Sequence, residues 1–200
     1  MNYLDYLTTY PEMYQGFSRV INRTENLSNY FYEHSLIPTG ASIFSLGCGE
    51  GELELKLAQD KQCSLELLEP AKLFVTAFYK ALEKSKPSIK SANMHLMPFE
   101  DFNVSTQFDV VLSIHSWYGL GFDEGIMKKA LSLVKPGGRL VINIMSRKSP
   151  VHGLSQFSHS GGIDLWAETL SEWATELGCQ HTFDLEHARR PTDVFFEKDG

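Results

Sequence analysis

The sequence has little that would suit it to an oxidising compartment, a nucleic-acid surface or a membrane. Its three cysteines, Cys48, Cys63 and Cys179, are odd in number and show no CxxC spacing. That excludes a disulfide framework and reads as reduced core thiols of a cytoplasmic protein. Positive charge is scarce. Lys and Arg number 18 against 25 Asp and Glu, a formal charge of −7, with a pI near 5.5. A wide basic surface for DNA or RNA is therefore not expected, and Arg189-Arg190 is too short to make one. No apolar run approaches the roughly 18 residues that cross a bilayer. The opening Met1-Asn2-Tyr3-Leu4-Asp5-Tyr6 lacks the charged-then-apolar order of a signal peptide. Repeats, low-complexity stretches and domain linkers are missing too, so 200 residues read as one compact unit. What remains is 42% hydrophobic and 12% aromatic, the composition of a folded soluble chain.

Short apolar runs alternate with helical periods. Strands are expected at Ser42–Leu46, Cys63–Leu68, Ser88–Asn93, Phe108–Ile114, Leu140–Met145, His181–Leu185 and Val194–Phe196. Phe108–Ile114 is apolar on both faces, as central parallel strands are. Helices are expected from Glu52 to about Gln59, after Pro70 at a first helical position, and from an Asp123 cap through Val134. Another follows over the stripe Ile163, Trp166, Leu170, Trp173 and Leu177, closed by Gly178. This alternation predicts an α/β fold: a doubly wound, seven-stranded, mostly parallel Rossmann-like sheet. Residues 1–38 precede it as a helical cap, and residues 39–200 form the main domain.

The turn Gly47-Cys48-Gly49-Glu50-Gly51 leaves a strand and enters a helix. Small residues there let a ligand reach the main chain, and the first helical amides are unpaired donors. Glu69 ends the next strand, where a carboxylate can accept from both hydroxyls of an adenosine ribose. Turn and acid together mark a nucleoside site, shared by dinucleotides and S-adenosylmethionine. Charge separates the two. Glu50 lies in the turn, and Glu52 stands where a dinucleotide fingerprint wants Gly or Ala. A carboxylate 4 Å from a pyrophosphate charge costs roughly 4 kcal/mol at an effective dielectric near 20. A sulfonium with an ammonium group suffers no such penalty. The plainer role for both acids is to complement the helix dipole.

With these motifs the chain resembles the class I S-adenosylmethionine-dependent methyltransferases over about residues 40–200. Four segments carry the resemblance: SIFSLGCGEGELELKLA, LELLEP, FDVVLSIHSWYGL and LVKPGGRLVIN. It implies that Gly47, Cys48 and Gly49 hold the methionine part of the cofactor and Glu69, followed by Pro70, the ribose. NMHLMPFEDF is similar to the family's adenine-contacting loop after strand three, with Asn93 at the position of the usual Asp and Met94 next to it. Ile114 ends strand four against the cofactor. Ser45 departs from the family, many of whose members carry an acid two residues before the first Gly.

The family's acceptor site lies in the loop after strand four and in N-terminal helices. Here that loop is His115-Ser116-Trp117-Tyr118-Gly119. His115 would accept a proton or a hydrogen bond, and is the candidate catalytic residue. Trp117 and Tyr118 would either wall the pocket or pack the top of the sheet. Six of the eight tyrosines (Tyr3, Tyr6, Tyr10, Tyr14, Tyr30, Tyr32) fall within the first 32 residues, which suggests a lid for a cationic or aromatic molecule, or ordinary helix packing. FSRVINRTEN is similar to the N-terminal helix and turn of the histamine N-methyltransferase branch. That match implies Phe17, Glu25 and Tyr14 at the acceptor, although Glu25 beside Thr24 also suits a helix cap. The branch runs on past the position of Gly200, and histamine itself is not the expected acceptor.

No metal is expected, because His152 and His159 lack a carboxylate at ligand spacing and the acidic set of a magnesium-using enzyme is missing. Asp109 reads as structural. No (Asn/Asp)-Pro-Pro-aromatic segment follows strand four, so a DNA-base acceptor is not expected. The expected function is methyl transfer from S-adenosylmethionine to a small molecule, foremost an amine nitrogen. The rivals are a protein or RNA methyltransferase and a non-catalytic cofactor-binding module. The oligomeric state is open.

Overall fold

The computed structural model describes residues 23–85, 89–120, 123–148 and 165–185. Five strands form one parallel sheet: β1 (Ser42–Leu46), β2 (Ser64–Leu68), β3 (Ser91–His95), β4 (Phe108–Ile114) and β5 (Val134–Asn143). Their order is β3-β2-β1-β4-β5, and every neighbouring pair is parallel. Winding runs outward in both directions from β1 and β4. The crevice outside their carboxyl ends is therefore the switch point where such sheets bind ligands. The helices are α1 (Arg23–Glu33), α2 (Glu52–Lys61), α3 (Lys72–Ser85), α4 (Glu124–Ser132) and α5 (Ala167–Glu176).

Alternate residues of each strand feed two cores, as the period of 2 requires. On one face Ile43, Leu65, Leu67, Val110 and Leu112 meet Leu53, Leu57, Phe78 and Phe31 from α2, α3 and α1. On the other, Phe44, Leu46 and Val111 meet Phe99, Phe102, Trp117, Met127 and Leu170. Phe44 stacks between Phe102 and Phe108, at 4.8 and 5.0 Å between ring centroids. Burial on both faces explains why the strands read as continuous apolar runs.

Several boundaries match the sequence pattern. β4 spans the expected Phe108–Ile114. Asp123 caps α4, its Oδ1 accepting from the N–H groups of Gly125 (2.7 Å) and Ile126 (3.2 Å). Gly178 turns left-handed (φ 69°) after α5.

Other boundaries differ. Val134, expected inside the helix, opens β5, and Lys135–Gly138 forms a bulge within that strand. The pairing jumps from Phe108↔Val134 to Val110↔Arg139. Gly138 is required there, because a Cβ would lie 2.7 Å from the Asp109 carbonyl oxygen. Pro70 stands ahead of α3, which begins at Lys72. β3 runs from Ser91 to His95, later than expected. Residues 181–185 form no strand, and Val194–Phe196 lies outside the described residues. The seven expected strands are thus five among the described residues. Of the expected N-terminal cap, α1 is described and residues 1–22 lie outside. No helix of the described residues is long and apolar enough to cross a membrane.

Candidate active site

The glycine turn sits at the switch point, and each glycine has its own reason. All three have positive φ: 61° at Gly47, 62° at Gly49 and 68° at Gly51, a region open to Gly at little cost. At Gly47 a Cβ would lie 2.6 Å from Ser116 Cβ, and at Gly51 one would lie 2.7 Å from Phe78 Cδ2. Those two glycines let the loop after β4 and helix α3 close on the turn. Gly49 has nothing within 4 Å of its missing side chain and is the one that faces open space. Ser116 fixes the approach of the two loops. Its hydroxyl donates to the Leu46 carbonyl and shares a hydrogen bond with Ser113 Oγ (2.7 Å).

Glu69 is 6% exposed. Its Oε2 accepts from the Gly49 N–H and its Oε1 from the Ala71 N–H, both at 2.9 Å. Burial pushes its carboxyl up to about 7, against the pull of those two amides; the Glu54 charge adds to the rise. Two amide donors leave a carboxylate with acceptor capacity, so Glu69 still suits a pair of ribose hydroxyls. The half-buried Cys48 thiol is raised well above its usual value, first by desolvation and then by Glu54 and Glu69. At neutral pH it is a protonated packing group, and its reactivity is suppressed.

The adenine side departs from expectation. Asn93, read as part of the loop after strand three, is inside β3. It pairs in register with Glu66 and donates to Glu66 Oε1 (3.0 Å), three residues short of the level of Glu69. The cause is the later position of β3, which leaves Leu96 and Met97 as the first residues beyond the strand. Leu96 is 48% exposed. Met94 is core, with Tyr79 Oη accepting from its N–H (3.3 Å).

Around the loop after β4 the expected residues divide. His115 follows β4 with φ 53°, a left-handed conformation uncommon for a non-glycine residue and one that gathers at functional sites. Its N–H donates to the Asn143 carbonyl (2.7 Å). Ile114 is buried, 8% exposed, directly before it. Trp117 is fully buried among Phe44, Leu46, Leu68 and Phe99, so it packs the sheet and does not wall a pocket. Tyr118 Oη accepts from the Met145 N–H (2.7 Å), tying this loop to the chain after β5. One residue escaped sequence reasoning. Asn143, at the end of β5, is paired in register with Ile114, and its Oδ1 is sealed from solvent with no hydrogen-bond partner. Nothing in its local pattern distinguishes it from any other strand end.

Helix α1 lies along α2. Thr24 Oγ1 donates to Glu52 Oε2 (2.9 Å) at one end, and the Tyr32 hydroxyl donates to Asp60 at the other. The start of α1 is thereby held beside the glycine turn. Glu25 is an exposed residue of its first turn; Tyr14 and Phe17 lie outside the described residues. Away from this end, a cavity of about 290 Å³ lies at the amino ends of β1 and β4, lined by Gly40, Asp109 and Gly137 among others. Asp109 there already accepts from the Ser42 N–H (2.8 Å) and hydroxyl (2.7 Å) and from Lys135 (3.0 Å). No group of His, Cys, Asp and Glu suited to a metal ion occurs among the described residues.

Fold and site together define a doubly wound domain with a glycine turn and a buried acid at its switch point. A family model described as a methyltransferase domain matches residues 16–190, and the chain belongs to that family. S-adenosylmethionine is accordingly the cofactor. No curated protein matches the chain. Among solved structures, the fold is similar to an S-adenosylmethionine-dependent methyltransferase from Thiobacillus denitrificans in complex with S-adenosyl-L-homocysteine. That pair has a TM-score of 0.65 and 17% identity, covering 89% of this chain and 71% of the other. A coclaurine N-methyltransferase bound to N-methylheliamine and S-adenosylhomocysteine gives 0.56 and 18%, over 62% of this chain and 37% of that one. A cyclopropane synthase from Mycobacterium tuberculosis gives 0.59 and 19%, over 71% and 55%. The chain spans between 37% and 71% of the length of these three structures.

Proposed function

We propose that this protein transfers a methyl group from S-adenosylmethionine to the nitrogen of a small-molecule amine. The observation that carries the choice of an acceptor able to donate a hydrogen bond is Asn143 Oδ1, a buried acceptor without a donor. An unmet buried acceptor costs about 1–3 kcal/mol. It is relieved by a donor on the acceptor molecule, an amine N–H or a hydroxyl O–H, which a carbon acceptor does not bring; the amine is preferred on the resemblance to the N-methyltransferase branch. The amide would hold one N–H so that the nitrogen lone pair points at the cofactor.

When bound, S-adenosylmethionine supplies an electrophilic methyl on a cationic sulfur. The chain's own part is alignment and exclusion of water. Gly49 leaves room at the turn, Glu69 anchors the ribose, and the buried Ile114 lines the approach. His115, whose backbone N–H donates to the Asn143 carbonyl, would take the proton an amine must lose. Alignment in a dry pocket supplies most of the acceleration in such an in-line transfer.

Residues 1–38 serve as the acceptor cap over the domain formed by residues 39–200. The Thr24–Glu52 hydrogen bond supports this by holding the start of α1 at the turn. Tyr14, Phe17 and Glu25 join the acceptor side on the strength of the resemblance to the histamine N-methyltransferase branch alone. The acidic total favours a small molecule over a nucleic acid, and the free cysteines favour the cytoplasm.

Labelled-methyl transfer to a panel of amines and phenols tests the reading. Label on amines supports it, and label only on phenols moves the acceptor to oxygen. Cofactor binding with no turnover on any acceptor, protein and RNA included, makes the chain a binding module.

A further inference from the structure

Glu54 is a buried carboxylate that the proposed chemistry leaves unused. It is the third residue of α2, where an exposed helical face would turn an acid to water, yet it is only 2% exposed. Ser45 Oγ donates to its Oε1 at 2.6 Å. Ser45 is itself wholly buried in β1, two residues before Gly47. The Glu54 side chain therefore turns inward between helix and sheet and lies under the glycine turn. Its charge reaches both neighbours there, raising the Cys48 thiol and adding to the rise of Glu69.

Burying a carboxylate costs several kcal/mol unless opposite charge or strong donors compensate. The first turn of α2 and the Ser45 hydroxyl contribute to that compensation. The two acids stand at different parts of the site. Glu69 follows β2, accepts from the Gly49 and Ala71 amides, and keeps acceptor capacity for the ribose. Glu54 rises from α2 behind the turn itself, bonded to Ser45 and close enough for its charge to act on Cys48. S-adenosylmethionine has the matching asymmetry: neutral ribose hydroxyls at one end, an ammonium and a sulfonium at the other. Ser45 stands where the resembled family commonly has an acid, and the helix supplies a carboxylate at the same place.

We infer that Glu54 is the anionic positioning residue for the ammonium end of the cofactor, oriented by Ser45, so that the acid is delivered from α2 and not from β1. This rests on the S-adenosylmethionine reading of the site.

Calorimetry with three probes tests it: S-adenosylmethionine, S-adenosylhomocysteine, and 5′-methylthioadenosine, which keeps the nucleoside and lacks the amino-acid end. Glu54→Gln is expected to weaken the first two by about 10- to 100-fold, the range of a charge-assisted hydrogen bond. Binding of 5′-methylthioadenosine should stay within about twofold on the same grounds, since it has no ammonium to lose a partner. The double variant Ser45→Asp with Glu54→Thr moves the carboxylate from helix to strand and should restore most of the loss. Equal weakening of all three probes overturns the inference, because it makes Glu54 a support of the turn's shape. Unchanged binding of all three overturns it as well, and so does a double variant no better than Glu54→Gln. If Glu54→Gln does not fold, Ser45→Ala carries the same comparison: selective weakening of the two amino-acid-bearing probes supports the inference, and uniform or absent weakening sinks it. Failure of the unaltered protein to bind any probe refutes the cofactor reading itself, a distinct result.

Discussion

The two ends of the sheet use the same kinds of residue to opposite effect. At the amino end, Asp109, Ser42 and Lys135 form a closed set. The hydrogen bonds from Ser42, foremost its hydroxyl, hold the Asp109 carboxyl down at about 2. At the carboxyl end, Glu69 is pushed up to about 7 by burial, His115 sits in a left-handed conformation, and Asn143 Oδ1 has no donor. One end has satisfied its polar groups and the other has left them in tension. Such tension costs stability and persists where a ligand relieves it, which separates a structural acid from a functional one. A cavity by itself does not make that distinction, because the 290 Å³ cavity lies at the satisfied end.

The largest effect should come from Glu69. Replacing it with Ala removes the proposed acceptor of two ribose hydroxyls and should weaken S-adenosylhomocysteine by about 100-fold or more, at 1.5–3 kcal/mol per charged hydrogen bond. The melting temperature should change little, because removing a desolvated acid offsets the loss of the Gly49 and Ala71 hydrogen bonds. A large drop in melting temperature would make Glu69 structural and erase the contrast between the ends.

The second test is pH. Ribose hydroxyls favour the ionised carboxylate, so affinity should rise as pH climbs through about 7 and fall below it. Between pH 8 and pH 6 the dissociation constant should increase about tenfold. Glu69→Ala should flatten the profile. Asp109 has the opposite sign of shift, lowered from 3.8 to about 2. Its stabilisation is present above the unfolded value and is lost as pH falls toward the folded one. Acid unfolding measured from pH 5 to pH 2 should lose part of its slope in Asp109→Asn.

Asn143→Ala comes third. It should lower kcat/KM for the amine acceptor by about tenfold, the worth of one buried hydrogen bond, and leave the S-adenosylhomocysteine dissociation constant unchanged. Equal loss on both measures would place Asn143 under the cofactor and not beside the acceptor. The smallest effect is expected from Asp109→Ala, about 1 kcal/mol of stability by denaturant titration once solvent screening of its exposed side chain is allowed for. Its cofactor binding should match the unaltered protein.

The parts legible in the sequence were those set by local pattern. β4 reads from its unbroken apolar run, the cap of α4 from Asp123, and the stop of α5 from Gly178. The glycine turn and Glu69 read from a strand-turn-helix spacing that recurs because it presents amides and a carboxylate to a nucleoside. The misread parts depended on partners far along the chain. Lys135-Pro136-Gly137-Gly138 has the composition of a helix stop, and the helix does end just before it. What local composition cannot say is that the segment bulges within β5 to pass the Asp109 carbonyl. Trp117 reads as either a pocket wall or packing for the top of the sheet, and only the core around Phe44 and Phe99 decides for packing.

Periodicity and turn chemistry alone determined that this chain alternates strand and helix and places a glycine turn and an acid at the ends of β1 and β2, because those signals act within a few residues. Tertiary structure decided which acids are desolvated. Glu54 and Glu52 lie two apart on one helix, yet Glu54 is sealed against Ser45 while the exposed Glu52 accepts from Thr24. Burial is a property of what packs from elsewhere in the chain, and burial gives a carboxylate its chemistry.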